Sequence, residues 1–316
     1  MHTDPATGKP VLEISQSGLN SFNSCPKRWA FRKVLTNFEE TREESDATAV
    51  GTAMHEAIQS YMVHRNEQLA LEALALHHPI ALRDSAKANV YSLEASTWTF
   101  MRWLEESDLP GYEIATFLKD GKEIPAVELP FLVVLELPNA IFHLRGFIDL
   151  IVRSPYRGNY LPIDIKTTTP QSMATMEAKY KWDWQITSYG IPLNALLGLD
   201  GPFDAGIMAI SMSDRSPEFK LPIYTRNADD IQAYEYYLID NCRRIERYLM
   251  AEHFPRQPSA CIQFGRVCPY HSICGASRLD EMQLLVNPSG KTGDAPGRPF
   301  EPVFEVRIEG LEESEG

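Results

Sequence analysis

The stretch RGFIDLIVRSPYRGNYLPIDIKTT, Arg145 to Thr168, decides how this chain is read. Two strand-like segments rich in isoleucine, leucine and valine flank the turn-forming SPYRGN, yet they carry Asp149, Asp164 and Lys166. An uncompensated charge inside an apolar strand is costly, so these side chains either face solvent or converge on something. Side chains alternate along a strand, so Ile163 and Ile165 share one face while Asp164, Lys166 and Thr168 share the other. In the preceding strand, Asp149 lies on the face of Arg145 and Phe147. If the two strands are neighbours, both carboxylates meet on one surface with Lys166 beside them. Carboxylates held a few ångströms apart repel one another, and a divalent cation between them would relieve that repulsion. A lysine there can orient or deprotonate a bound water, or stabilise charge on a phosphate. The alternative is a plain Asp–Lys ion pair on a solvated sheet face.

Working outward, AVELPFLVVLEL and IFHLRGFIDLIVR are strand-length runs joined by the turn signal PNA, which predicts a β-hairpin. YLPIDIKTT is a third strand. A helix around Trp184 to Leu197, strands at Phe203 to Met212 and Phe219 to Thr225, and a long helix from Asp229 to Met250 complete that half. On the N-terminal side, Ser15 to Leu35 reads as two short helices with Ser15 or Ser17 as cap and Pro26 in a first turn. A helix from about Val50 to His64 places Met54, Ile58 and Met62 on one stripe, with Gly51, His55 and Ile58 on neighbouring turns of one face. More helix is expected from Asn66 to Ser107, with Trp98 and Trp103 as core anchors. The expected organisation is one domain over 1–286, followed by an acidic, mobile tail over 287–316 that holds four Pro and five Gly. Within that tail VFEVRIEG alternates like a strand and could pair with a sheet edge.

With 44% apolar and 10% aromatic residues among 316, the composition is that of a folded globular chain. No apolar run approaches ~20 residues and the N-terminus has no leader pattern, so a soluble, cytoplasmic protein is expected, with no membrane partner. A net charge of −13 at first argues against a polyanionic partner. The acidity is uneven, however: Glu39 to Asp46 carries −4 and the tail another −4, leaving −5 for a body that includes the basic clusters PKRWAFRK and RRIER. Net charge therefore does not exclude nucleic acid.

Taken in order, these segments resemble the PD-(D/E)XK nuclease superfamily, and specifically its RecB-type branch. ISQSGLNSFNSCPKRWAFR looks like that family's helical entry with its Cys-Pro pair, and VGTAMHEAI like its helix bearing a metal-binding histidine, here His55. LRGFIDLIV resembles the Gly-x-x-Asp strand, PIDIKTT the acid-x-Lys strand and QITSYG the Gln-x-x-x-Tyr helix. The resemblance spans roughly Ile14 to Gly275. It implies a restriction-endonuclease-like α/β fold, a mixed central sheet flanked by helices. It also implies Asp149, Asp164, Lys166, Gln185 and Tyr189 as catalytic residues. His55, Asp149, Asp164 and the backbone carbonyl of Ile165 would hold magnesium or manganese. Glu128, where related sequences carry an acid, is a further candidate ligand, with a solvent-facing strand glutamate as its alternative.

The cysteines carry a second signal. Cys242 fits the apolar stripe of the long helix and reads as core, whereas Cys261, Cys268 and Cys274 form a tight group and Cys25 stands alone near the N-terminus. In a cytosolic chain such a group favours metal over disulfides. The separation of Cys25 from the trio resembles the iron–sulfur nucleases of the same branch, AddB-type and CRISPR-associated exonucleases, in which four thiolates hold a 4Fe-4S cluster. Six residues separate Cys261 from Cys268, a wider spacing than those relatives show. Zinc is the competing metal, because His271 sits between Cys268 and Cys274. Either metal would join the N- and C-terminal segments.

The resemblance implies a metal-dependent DNA nuclease, an exonuclease, acting on single strands or duplex ends in recombination, repair or DNA processing. No Walker-type phosphate loop is present, so a helicase, recombinase or adaptation-complex partner is expected for any motor function. The setting would be the cytoplasm, or a host cytoplasm for a viral protein. Two other classes stand beside this one: a catalytically silent DNA-binding or scaffold subunit, and a zinc-stapled interaction protein.

Overall fold

A computed structural model of the chain describes residues 2–34, 45–82, 88–119, 121–153, 160–197, 201–263, 266–275 and 302–309. In chain order the elements are β1 (His2–Thr3), β2 (Pro10–Ile14), α1 (Gln16–Ser24), α2 (Pro26–Lys33), α3 (Asp46–His64), α4 (Glu67–His77), α5 (Ala88–Tyr91) and α6 (Leu93–Glu106). Then come β3 (Glu113–Ile114), β4 (Thr116–Lys119), β5 (Lys122–Pro125), β6 (Val127–Glu136), β7 (Ile141–Arg153) and β8 (Tyr160–Thr168). They are followed by α7 (Pro170–Tyr180), α8 (Trp184–Ser188), α9 (Gly190–Leu197), β9 (Phe203–Ser211), β10 (Phe219–Lys220) and β11 (Ile223–Arg226). The chain closes with α10 (Ala228–Met250), β12 (Ile262–Gln263), β13 (Arg266–Val267) and β14 (Phe304–Glu309). The class is mixed α/β, a mixed sheet with flanking helices.

The chain divides into two compact units. The first draws on Met1–Arg42, Pro130–Gly146 and Gln232–Gly316, the second on Glu43–Leu129 and Phe147–Ile231. The long strands β6 and β7 contribute residues to both.

In the first unit β2 runs parallel to β7, with Val11 level with Ile141, and β14 runs parallel to β6, with Phe304 level with Phe131. Val11, Leu132, Val134 and Ile141 form one buried cluster. The helices add aromatic packing: Trp29 of α2 lies against Phe22 and Phe254, and Phe31 stacks on Tyr270 at 5.0 Å between centroids. Ser15 caps α1 by accepting from Gly18 N, and Pro26 opens α2, both as their residue types demand. Gly146 is required by crowding, since a Cβ there would come within 2.2 Å of the Phe131 ring.

The second unit holds the larger core. Antiparallel β7 and β8 meet with Leu150 level with Ile163, β8 lies parallel to β9 with Asp164 level with Ile207, and β10 and β11 pair antiparallel with β9. Val50, Ala53, Met54, Ala57, Ile58 and Met62 recur at the helical period of α3 and pack on Leu150, Val152, Ile163 and Ile165. Arg65, in the left-handed region at the C-terminal end of α3, donates to the carbonyls of Pro110 and Tyr112.

Several expectations change here. Trp103 is buried, but Trp98 is 46% exposed with the Arg102 guanidinium over its ring, so it is no core anchor. The helix expected from Trp184 to Leu197 is two short helices broken at Tyr189. The helix expected from about Val50 begins at Asp46, capped by Ser45; residues 39–44 lie outside the described residues. β1 to β5 were not read from the sequence. In the tail, VFEVRIEG supplies β14, so pairing replaces the expected mobility at 304–309, while 287–301 lie outside the described residues. Ending the chain at Val286 removes that partner from β6 and bares an apolar strand edge. The thermal midpoint should fall by at least about 2 °C and the protein should aggregate on heating; an unchanged melt would show that β14 adds nothing.

Candidate active site

Every site residue expected from the sequence, other than the cysteines, lies in the second unit. The antiparallel ladder ends at the Leu150 and Ile163 pair, next to Asp149 on one strand and Asp164 on the other. Asp149 Oδ2 accepts the Ile165 N–H at 2.7 Å, which fixes the carboxylate against β8. His55 reaches the same oxygen from α3, its Nδ1 at 3.6 Å. That approach depends on Gly51, one turn earlier, where a Cβ would sit 2.8 Å from Thr167 Oγ1 of β8. Gly51→Ala should push α3 off the sheet and carry His55 with it. A misplacement of about 1 Å costs on the order of a hundredfold in rate, so any reaction that needs His55 beside Asp149 should slow by about tenfold or more, with some loss of stability because α3 carries much of the core; a wild-type rate in this variant would show that the close approach is not needed.

Glu128 of β6 completes a group. Among the described residues, His55, Glu128 and Asp149 each offer one ligand atom, all within 4.8 Å of one another. Glu128 has φ of +46°, a left-handed backbone that a glutamate rarely adopts and that costs about 1–3 kcal/mol. Its Oε1 accepts from Gln59 Nε2 at 2.6 Å. Glu128 is half-buried, held by Gln59 and turned towards His55 and Asp149.

Asp164 lies beside this group and is fully buried. Its Oδ1 accepts from Gln185 Nε2 at 2.8 Å and from the Tyr189 hydroxyl at 3.0 Å. Gln185 stands in α8 and Tyr189 at its C-terminal cap, so the break between α8 and α9 still lets both reach one oxygen. Both side chains hold the carboxylate rather than face an open groove. Lys166 Nζ lies 2.8 Å from Oδ2 as an ion pair, and this buried oxygen has no other polar partner among the described residues.

The electrostatics follow from burial and crowding. Burial, then the charge of Lys166, lowers the His55 pKa to about 4, so the ring is neutral at pH 7 and can act as a ligand. The Ile165 backbone hydrogen-bonds the same ring. Burial and then the Asp164 charge push the Asp149 carboxyl well above its usual range. Burial opposes the charge of Lys166, yet Asp164 and Asp149 outweigh it and raise its pKa, so the ammonium stays protonated. Burial raises the Tyr189 hydroxyl as well, which keeps it a donor. A neutral imidazole and a carboxylate destabilised by another carboxylate, with Glu128 within reach of both, are the features that a divalent cation would satisfy, so the residues fit one.

The four cysteines of the metal expectation are together in the first unit. Cys25, Cys261, Cys268 and Cys274 line one cavity, with Arg28, Phe31, Tyr270 and His271. None is in a disulfide. Burial raises the Cys274 thiol, Lys27 opposes this, and the three other thiols raise it further. Cys242 is fully buried in α10, as expected of a core residue.

With this geometry in hand, comparison with known proteins decides the family. The model described as the PD-(D/E)XK nuclease superfamily matches residues 13–275. The chain belongs to the PD-(D/E)XK nuclease superfamily. Among solved structures, one named "Putative exonuclease" from Eubacterium rectale is 14% identical, covers 79% of this chain and 85% of its own, and has a TM-score of 0.47. A second, named SSO0001, is 15% identical, with coverages of 83% and 96% and a TM-score of 0.30. No curated protein matches. Among the described residues no helix is long and apolar enough to cross a membrane.

Two residues of this site were not read from the sequence. Gln59 lies four residues after His55, on the same face of α3, and that spacing was a usable signal. Arg226 of β11 is buried and donates to Thr187 Oγ1 at 2.8 Å and to the Lys181 carbonyl at 2.9 Å, clamping the segment that carries Gln185. A lone arginine in a short strand gave no such signal.

Proposed function

We propose that the protein is a magnesium- or manganese-dependent DNA exonuclease of the RecB-type branch. The observation that carries this reading is the convergence of His55, Glu128 and Asp149 beside the ion pair of buried Asp164 with half-buried Lys166. Asp149, Asp164, His55 and Glu128, with the Ile165 carbonyl, would hold the cation. A divalent ion there would supply Lewis-acid activation of water and of a phosphoryl oxygen.

The chain's own residues do the positioning. Gln185 and Tyr189 fix Asp164 Oδ1, and Oδ2 is left to Lys166, 2.8 Å away. Gln59 holds Glu128. Lys166, kept protonated by its two carboxylate neighbours, is a donor that orients water and stabilises charge on the phosphate; a role as base is disfavoured by that same pairing.

The cysteine cavity supports a structural 4Fe-4S cluster held by Cys25, Cys261, Cys268 and Cys274. His271 lines the same cavity and favours zinc as the second reading. The mode of cleavage is tested with manganese, one linear and one covalently closed single-stranded DNA. Loss of the linear DNA with survival of the circle is expected, equal loss of both would make the enzyme an endonuclease, and loss of neither would remove the nuclease reading.

A further inference from the structure

Most large apolar side chains of the second unit are buried, but Trp182, close in sequence to Gln185, is 70% exposed, and Phe147, close in sequence to Asp149, is 36% exposed. Single exposed apolar residues are ordinary; the placement of these two is not. Phe147 lies two residues before Asp149 on the same face of β7, about 7 Å along the strand. Trp182 stands in the turn between α7 and α8, three residues before Gln185, and so within about 11 Å of it by chain length. The residue at the start of that turn, Tyr180, is buried close enough to Lys166 to act on its charge.

The turn is held from inside. Arg226 grips the Lys181 carbonyl and Thr187 Oγ1, and Asp183 caps α8 by accepting from Gln185 N at 2.7 Å. With its backbone fixed, the turn presents Trp182 outward at little conformational cost. One cation lies at the ring, Lys181 Nζ at 5.3 Å from the Trp182 centroid, and a second, Lys179, stands three residues before Trp182 with its Nζ 4.8 Å from the Tyr180 centroid. Of the nearby acids, Asp183 is used in the cap and Glu177 approaches Lys220 at 3.8 Å. Exposed aromatic faces joined to lysines are the chemistry of a single-strand groove, where unstacked bases lie on rings and cations follow the phosphates. Away from its ends, a duplex offers no free base faces to such rings.

We propose that Trp182, with Lys179 and Lys181, and Phe147 form a base-stacking platform that admits a single-stranded nucleic acid to the Asp149 and Asp164 site. This deepens the nuclease reading and rests on it. The test is binding without cleavage: anisotropy of labelled oligo(dT) and of a duplex of equal length, with the full chain in excess chelator. Wild type should prefer the single strand. Trp182→Leu, which keeps apolar bulk but loses the stacking face, should weaken oligo(dT) binding about 5- to 100-fold and leave duplex binding nearly unchanged. Trp182→Phe should restore most of the affinity, and Phe147→Leu should weaken it in the same direction. Unchanged oligo(dT) binding by Trp182→Leu, as a protein-docking tryptophan would give, overturns the platform while leaving the nuclease reading intact. Equal weakening for strand and duplex overturns it too. A wild type that cuts neither DNA and binds neither would remove both readings together.

Discussion

Asp149→Asn should abolish cleavage and, in the same protein, raise the thermal midpoint measured without divalent cations. The two effects share one cause. Burial and the nearby Asp164 charge raise the Asp149 pKa in the folded state, so its ionised form is a liability when no cation is bound. The sign is that of an acid with a raised folded pKa. The penalty is complete above the folded pKa, is relieved as pH falls through it, and is gone below the unfolded value near 3.8. Metal-free wild type should therefore gain stability as the pH is lowered from neutrality, and the variant should lose that part of the slope. Asparagine can still accept the Ile165 N–H through its amide oxygen, so the backbone contact survives. Manganese should raise the midpoint of wild type by mass action and should do so far less in the variant. A variant that melts lower than wild type in chelator, or responds equally to manganese, would show that the carboxylates are not strained against each other.

If the cysteine cavity holds the proposed metal, Cys25→Ser should remove it and destabilise the first unit. Cys25 joins α1 to α2, while Cys261, Cys268 and Cys274 come from the segment after α10, so metal bound by all four ties sequence-distant parts of one unit. Structural metal sites of this kind contribute folding free energy outright, on the order of 10 kcal/mol in small domains. Protein purified without oxygen should be brown, with about four irons and four sulfides per chain, and Cys25→Ser should be colourless and should melt well below wild type. His271→Ala separates the two metals: it should leave an all-thiolate iron–sulfur cluster in place but weaken a zinc site that uses the imidazole. Cys242→Ser should keep its metal, although burying a hydroxyl in α10 costs about 1–3 kcal/mol. One zinc and no colour would select zinc, and no metal at all in anaerobic wild type would leave the cavity a cluster of thiols.

The central strands were legible because period-two alternation and turn chemistry agree over Arg145 to Thr168, and the register then follows from the paired apolar residues. The α3 face was legible for the same reason at period 3.6, with Gly51 marking the close approach to β8. Trp98 was misplaced because five residues turn a helix through about 140°, so Trp98 and Trp103 cannot both face one core. The break at Tyr189 was hidden in an apolar, helix-like run; the tight seat of Gly190, where a Cβ would come within 2.4 Å of the Phe203 ring, is a tertiary constraint. The place of Glu128 depends on a left-handed backbone that nothing in AVELPF announces. Arg226 acts on carbonyls some forty residues earlier, a contact that only the folded chain defines. The gathering of the four cysteines, by contrast, was foreseen from their grouping and from the family likeness together.

The nuclease claim is met most directly by digestion of labelled linear DNA, single-stranded and duplex, with wild type and Asp149→Asn side by side in manganese and in chelator. The expected result is cleavage by wild type in manganese alone, with none in chelator and none by Asp149→Asn under either condition. Cleavage by Asp149→Asn at the wild-type rate, or equal cleavage in chelator, would contradict it.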